Sequence, residues 1–386
     1  MKKIQMLNKI AACGTDVFDR AAYEVETELQ DPDAILVRSA AMHEMEFGPA
    51  LRAIGRAGAG VNNIPIDRCT EQGIVVFNTP GANANGVKEL TTAALILASR
   101  NVVGGIEWVN TLKGNPDIAK AVEKGKSAYV GHELHGKKLG VIGLGAIGGM
   151  VANAADALGM SVIGCDPYIT VNAAWALSTA VKKASAYEEI FQQADYITLH
   201  VPATAETKGM ICKKTLDMMK DGVRIINLAR ADLVNAADMK EALASGKVAA
   251  YITDFPTDET VGAPGIVNIP HLGASTYESE DHCAVMACKQ VKDYLENGNI
   301  VNSVNFPKVS MPRSGEQRIC VLHRNVPNVL SRLTSLVSAE GINIENMSNG
   351  SRGDQAYTVL DVSRPVSEET AKAFEKVEGV IRVTLL

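Results

Sequence analysis

The run Gly143-Leu-Gly145-Ala146-Ile147-Gly148 constrains this chain more than any other stretch. It follows the apolar residues Leu139-Gly-Val-Ile142, which read as a buried strand, and it precedes a segment with helical patterning. A strand that turns into a helix over three glycines needs each for a different reason. Gly143 permits the tight turn, Gly145 lets an anion approach the backbone, and Gly148 lets helix and strand close together. The unpaired amides of the first helical turn then face that anion. Asp166 closes the next strand, roughly 20 residues on, the spacing at which a carboxylate binds a ribose diol. An acid there repels a 2′-phosphate, so the motif predicts a dinucleotide site that prefers NAD.

The surrounding pattern supports that context. Apolar runs at 138–143, 161–165, 196–200, 223–227 and 249–252 are separated by helical intervals, including 189–194 and 235–245, which predicts a doubly wound parallel sheet. The first 90 residues repeat the theme with strands at 34–38 and 73–78 and the turn Gly58-Ala-Gly60-Val61-Asn62-Asn63. A long helix begins near Val87. A second, at 275–297, needs a partner, and the first domain is its expected one. Residues 308–315 read as a linker, and 316–386 as a βαββαβ unit of ferredoxin-like type. The expected boundaries are therefore 1–90 for the first segment of a substrate-binding domain and 91–270 for a Rossmann-type nucleotide domain. Residues 271–307 return to the first domain, and 316–386 form a separate C-terminal domain.

Composition narrows the function. Lys plus Arg number 38 against 44 Asp plus Glu, a net charge of −6 with no basic tail, which argues against a nucleic-acid binder. The pairs Lys137-Lys138 and Lys182-Lys183 are too short to make a basic surface. No apolar run approaches a membrane span or an export signal. Seven dispersed cysteines without a CxxC predict free thiols in a reducing compartment, hence a cytoplasmic protein. His132, His135 and His282 have no partners at metal-ligand spacing, so no metal site is expected. His43 reads as structural.

Three polar groups stand just beyond strand ends, where open α/β sheets bind ligands. Arg230 ends Asn227-Leu228-Ala229-Arg230, His271 follows Pro270, and Asp254, Asp258 and Glu259 follow the strand at 249–252. Hydride transfer from a hydroxyl carbon needs such a set. Imidazole takes the hydroxyl proton near neutral pH, a carboxylate orients the ring, and a guanidinium fork holds the substrate carboxylate.

The chain resembles the D-2-hydroxyacid dehydrogenase family, in its form with a C-terminal ACT domain. The resemblance rests on Leu36-Val-Arg38-Ser39, Gly58 to Asn63, Gly73 to Asn83, Gly143 to Gly148, Leu199-His200-Val201-Pro202-Ala-Thr204, Asn227 to Arg230 and His271-Leu-Gly273-Ala274-Ser-Thr276. It implies a flavodoxin-like substrate domain and NAD-dependent oxidation of a small anionic 2-hydroxy acid. The expected substrate is 3-phosphoglycerate, in serine synthesis; glycerate, glyoxylate, hydroxypyruvate or lactate are alternatives, and an NAD-sensing corepressor is a remote one. Arg230 is then the carboxylate binder and His271 the acid/base. Cofactor contacts fall on Gly143, Gly145, Ala146, Ile147, Gly148, Asp166, His200, Val201, Pro202, Leu228, Ala229, Arg230, Asp254, His271, Gly273 and Ala274.

One stretch departs from the family pattern. Thr253-Asp254-Phe255-Pro256-Thr257-Asp258-Glu259 stands where the family reads Asp-Val-Phe, a gap and Glu-Pro. Asp254 becomes the stand-in for the nicotinamide-loop aspartate. Ungapped alignment makes Asp258 the histidine's partner, whereas a one-residue shift makes it Glu259, the reading adopted.

The resemblance places substrate contacts on Arg38, Ser39, Gly60, Val61, Asn62, Asn83 and Lys88, the last at a helix start where a phosphate could sit. In the ACT domain His323, Asn325 and Asn343 match a serine-binding pattern, so L-serine is the expected effector. Asn328 takes a position where glycine is usual. Assembly as a homodimer or homotetramer is implied.

Overall fold

The computed structural model describes residues 1–386. The chain divides into two compact units, Met1–Asn83 with Glu280–Leu386, and Ala84–Ser279. This division groups 84–90 and 271–279 with the nucleotide-binding sheet, where the sequence reading had placed them with the first domain.

The first unit opens with β1 (Lys2–Met6), β2 (Tyr23–Glu26), β3 (Ala34–Val37), β4 (Ala53–Arg56) and β5 (Val75–Phe77). They form a parallel sheet in the order β2-β1-β3-β4-β5. Strands β3 and β5 are buried at every residue, as expected for parallel strands covered on both faces. The sequence reading missed β1 and β2, whose Lys and Glu side chains break the apolar runs.

The second unit holds β6 (Lys138–Ile142), β7 (Ser161–Cys165), β8 (Lys182–Lys183), β9 (Tyr196–Leu199), β10 (Val223–Asn227), β11 (Val248–Thr253) and β12 (Ile266–Asn268). All are parallel, in the order β12-β11-β10-β9-β6-β7-β8. The order reverses between β6 and β9, which opens a crevice at the carboxyl ends of those strands. Lys182-Lys183 forms the short edge strand. The connection before β6 contains the helices Val102–Thr111 and Ile118–Gly125, and neither buries a single residue.

The first unit ends with β13 (Gln317–Arg324), β14 (Ile344–Arg352), β15 (Gln355–Val362) and β16 (Val380–Leu385), antiparallel in the order β14-β15-β13-β16. Alternation divides its side chains between two faces. Ile319, Val321, Leu360 and Val362 pack on the helices Val329–Ala339 and Glu368–Glu375 through Leu333 and Phe374. Cys320, Leu322, Tyr357 and Val359 face the other way and share one apolar core with Tyr294, Leu295, Phe306 and Phe77. The C-terminal domain is therefore fused to the first sheet by a common core. Arg318 secures the joint: fully buried, it pairs with Asp361 through Nε at 2.6 Å and Nη2 at 2.7 Å and donates to the carbonyls of Asn297, Met311 and Pro312.

Candidate active site

The glycine loop has the conformation that its residues dictate. Gly143 lies at φ 89°, and a Cβ there would come within 2.5 Å of the His200 carbonyl. A Cβ on Gly148 would sit 1.9 Å from the Gly143 carbonyl, so only glycine lets the helix Ala146–Ala157 approach β6. Gly145 faces open space, with nothing within 4 Å of a Cβ, at the N-cap of that helix. Asp166, just past β7, accepts the Leu144 N–H at 2.9 Å and the Tyr168 N–H at 2.9 Å. The carboxylate is thereby fixed against the glycine loop. His200, at the end of β9, shares a hydrogen bond of 2.9 Å with the Thr198 hydroxyl, and burial pushes its pKa down to about 4.

Arg230 is carried by a braced turn after β10. The buried Asn227 carboxamide donates to the Arg230 carbonyl at 2.8 Å, and its oxygen accepts the Ala229 and Arg230 N–H groups at 3.2 and 3.3 Å. The sequence reading treated Asn227 as a strand end only. Its place between a buried strand and a functional arginine was the available signal.

Asp254, the residue after β11, is 1% exposed. Its Oδ2 accepts the Gly273 N–H at 3.1 Å, while Oδ1 is buried without a partner. Burial raises the carboxyl above its ordinary range; the Gly273 bond and the charges of His271 and Arg230 oppose this in part. His271 follows β12 with φ 46°, a left-handed conformation that costs a bulky residue energy and clusters at functional sites. Two bonds from its backbone N–H, to the carbonyls of Asp254 at 3.1 Å and Ile269 at 2.9 Å, hold it there. Phe255 touches the His271 ring, with centroids 4.7 Å apart.

Arg230, Asp254 and His271 thus converge at the carboxyl ends of β10, β11 and β12. The acidic pair does not join them. Thr257 and Thr260 close a tight turn in which the Thr257 N–H donates to the Thr260 hydroxyl at 2.9 Å and the Thr260 N–H to the Thr257 carbonyl at 3.0 Å. Asn268 at the end of β12 clamps the turn by donating to the Thr260 carbonyl at 2.8 Å. Asp258 and Glu259 occupy the two outer positions and are exposed. Neither forms an ion pair with His271, and the imidazole makes no side-chain hydrogen bond.

The dinucleotide fit can be tested on these residues. The open cradle at Gly145, the first-turn amides, the fixed Asp166 carboxylate and the orphaned Asp254 oxygen are each suited to one part of NAD: pyrophosphate, ribose and an amide donor. Val201 follows β9 and the buried Leu228 follows β10 at the same sheet edge, packed in separate cores.

In the first unit, the loops after β3 and β4 are held open by asparagines. Asn8 Oδ1 accepts three consecutive backbone N–H groups, from Arg38, Ser39 and Ala40, at 3.1, 3.0 and 3.0 Å. Asn78 donates to the Ala59 carbonyl at 2.7 Å, and Asn62 meets His43 Nε2 through its carbonyl at 3.0 Å. Arg38 pairs with Glu280 at 2.7 Å. Arg56, at the end of β4, is a residue that the sequence reading missed. Its Nε is buried without a partner, and burial, then the nearby Arg38 charge, lower its pKa. Gly58 lies at φ 150°, a backbone conformation that L side chains rarely adopt. In the second unit Lys88 lies 3.6 Å from Glu89.

In the C-terminal domain Asn328 adopts φ 68°, the turn for which asparagine stands in for glycine. Asn325 donates to the Gly353 carbonyl at 3.2 Å, and Asn343 to Glu345 at 3.0 Å; both asparagines are exposed. His323 is not: it is 3% exposed, with Nδ1 bonded to the Arg324 carbonyl and Nε2 to the Thr358 hydroxyl, each at 2.8 Å.

Residues 93–273 match the family described as D-isomer specific 2-hydroxyacid dehydrogenase, NAD binding domain, and residues 319–382 match the AHAS small subunit-like ACT domain. The chain is 35% identical over 332 residues to a D-3-phosphoglycerate dehydrogenase of Bacillus subtilis, covering 84% of this chain and 60% of that protein. It is 31% identical over 352 residues to the D-3-phosphoglycerate dehydrogenase of Escherichia coli K12, covering 87% and 82%. A solved structure of NAD+-bound 3-phosphoglycerate dehydrogenase from Entamoeba histolytica is similar with a TM-score of 0.61 and 28% identity, over 79% of this chain and 98% of that one. No helix is long and apolar enough to cross a membrane.

Proposed function

The chain belongs to the D-isomer-specific 2-hydroxyacid dehydrogenase family, and from that premise we propose that it oxidises 3-phospho-D-glycerate to 3-phosphohydroxypyruvate with NAD, the first step of L-serine biosynthesis. The observation that carries the reading is the convergence of Arg230, His271 and the half-satisfied Asp254 at one sheet edge beside the glycine loop. Bound nicotinamide supplies the hydride acceptor. The residues of the chain do the rest. The Arg230 fork holds the substrate carboxylate and fixes which face of C2 is presented. His271 removes the hydroxyl proton as the C2–H bond breaks. Asp254 receives the amide that orients the nicotinamide ring.

Arg38, Ser39, Arg56, Gly60, Val61, Asn62, Asn83 and Lys88 are proposed as substrate contacts, with Arg56 the main cation for a phosphate. Support comes from its buried, unpartnered Nε. A second reading, an unphosphorylated 2-hydroxy acid, draws on the carboxylates that already neighbour two of the cations, Glu280 for Arg38 and Glu89 for Lys88. The exposed apolar residues Val102, Ile106 and Val109 support self-association through the helix Val102–Thr111. The exposed Asn325 and Asn343 support L-serine as the effector. Seven free cysteines suit a cytoplasmic enzyme.

The test is steady-state NAD reduction with 3-phosphoglycerate beside D-glycerate and D-lactate, with serine and the keto product removed. Strong preference for 3-phosphoglycerate is expected. Equal turnover of an unphosphorylated acid overturns the substrate and keeps the dehydrogenase.

A further inference from the structure

Two arginines of the first unit, Arg38 after β3 and Arg56 at the end of β4, stand within reach of each other's charge. Burial lowers the Arg56 pKa, and the Arg38 charge lowers it further. One carboxylate pairs with them: Glu280 Oε1 meets Arg38 Nη1 at 2.7 Å. The backbones at both ends of that pair are held. Asn8 Oδ1 gathers the N–H groups of Arg38 and its two successors. Glu280 belongs to the helix Tyr277–Asn297, whose buried Ala284, Ala287, Cys288 and Val291 seat it in the core of the first sheet. Gly14 approaches that helix so closely that a Cβ would come 2.7 Å from Ala284. The two charged side chains are free by comparison, 40% and 43% exposed, so their pairing is weak and either swings into water at little cost.

We propose that Glu280 is a specificity-determining residue of the substrate site, an internal carboxylate that holds Arg38 until a phosphate displaces it. It thereby sets how strongly the site prefers a phosphorylated over an unphosphorylated 2-hydroxy acid. The proposal rests on the substrate reading above for its kinetic consequence, and on the Arg38–Glu280 pair alone for its effect on anion binding. Two guanidinium groups less one carboxylate leave a single net positive charge. A phosphate dianion is matched only when Glu280 gives up Arg38, and its two-pronged, charge-assisted bonds to a guanidinium are stronger than an exposed ion pair. A hydroxyl in the same place brings no charge with which to displace the carboxylate, and finds in it an acceptor. Specificity is a difference between two affinities, and Glu280 acts on both. Removing its charge widens the difference.

The test uses the full chain as wild type, E280Q, E280A and R38M. Initial rates of NAD reduction give KM and kcat for 3-phosphoglycerate and D-glycerate, and a phosphorus NMR titration gives the affinity for inorganic phosphate without cofactor. E280Q and E280A are expected to lower KM for 3-phosphoglycerate and the phosphate dissociation constant by roughly two- to fivefold, the worth of one exposed ion pair. KM for D-glycerate holds or rises, and kcat stays within about twofold, as for a change in ground-state binding. R38M weakens phosphate binding, which places the probe at this pair. The proposal is overturned if E280Q leaves both constants unchanged, or if R38M leaves phosphate binding unchanged. It is overturned equally if E280A raises both constants and E280Q restores them, which makes Glu280 a support for Arg38 instead of its competitor. A wild type that turns over D-glycerate as well as 3-phosphoglycerate overturns the substrate reading instead, and the phosphate titration still decides the role of Glu280.

Discussion

Gly273 donates its backbone N–H to Oδ2 of Asp254 at 3.1 Å, and the bond leaves the other oxygen of a buried carboxylate without a partner. An apo protein bears that cost; a bound amide donor relieves it. D254N presents a donor where the cofactor's amide would donate, so NADH affinity should fall roughly tenfold, about 1.4 kcal/mol, in a fluorescence titration. Unchanged affinity would remove Asp254 from the cofactor site. Stability moves the other way. Burial raises the folded carboxyl's pKa, so the folded state keeps a proton that the unfolded chain releases. Wild-type stability then declines as pH rises from about 4 through the raised folded value, and D254N should lack that decline in urea unfolding.

Asn8 predicts a separable effect on substrate binding. One carboxamide oxygen collects the N–H groups of Arg38, Ser39 and Ala40, which shapes the loop after β3. In N8A those donors lose their acceptor at a cost of about 1–2 kcal/mol. KM for 3-phosphoglycerate should rise severalfold with kcat nearly unchanged. A fall in kcat at constant KM would place the loop in the chemistry rather than in binding.

Asp254 and Asn8 fall on opposite sides of what the sequence made legible. The glycine loop could be read because its chemistry is backbone chemistry at fixed spacing: Gly143 and Gly148 have no substitutes that keep the turn and the close approach. Arg230 and His271 could be read because strand ends follow from apolar runs. Asn8 and Asn227 were opaque, since an asparagine that satisfies a remote or curled backbone looks like any polar residue until the chain is folded. The outward aim of Asp258 and Glu259 was also hidden. It depends on Asn268, eight residues after Thr260, clamping a threonine turn. The shared core of the first sheet and the C-terminal domain escaped for a similar reason, because alternation in β13 and β15 marks two buried faces without naming what covers the second.

Asp361 and Arg318 should make that joint sensitive to a single charge. Both are fully buried, and removing one partner strands the other, at about 3–5 kcal/mol. D361N should lower the urea midpoint by a corresponding amount. Burial alone would raise the Asp361 carboxyl, but the bonds from Arg318 and Ser314 hold it below its usual range. Its stabilisation is therefore complete above the unfolded aspartate value, about 3.9, and is lost as pH falls through the folded one. The double variant R318M/D361L should lack that acid-induced loss; if it loses stability as the wild type does, the pair is not its source.

Ile106 tests self-association. It is 57% exposed on a helix that buries nothing in its own chain. A carboxylate placed in an apolar contact between copies would be desolvated without a partner. I106E should shift the sedimentation profile to a smaller species at micromolar concentration, with the NAD site intact by titration. An unchanged profile would move the interface elsewhere.

His323 separates two roles in the C-terminal domain. Burial lowers its pKa, and both ring nitrogens are taken by the Arg324 carbonyl and the Thr358 hydroxyl, so the ring braces the β13 end from inside. The folded state resists a proton that the unfolded histidine accepts, so stability should be highest above about pH 6.5 and decline below it. H323Q should flatten this dependence while losing about 1–3 kcal/mol from the broken network. If L-serine is the effector, N343A should abolish the serine-induced rise in melting temperature, because Asn343 is exposed where a ligand can reach it. A rise that survives N343A but disappears in an otherwise folded H323Q would show that the buried ring opens to the ligand, and would reverse this division of roles.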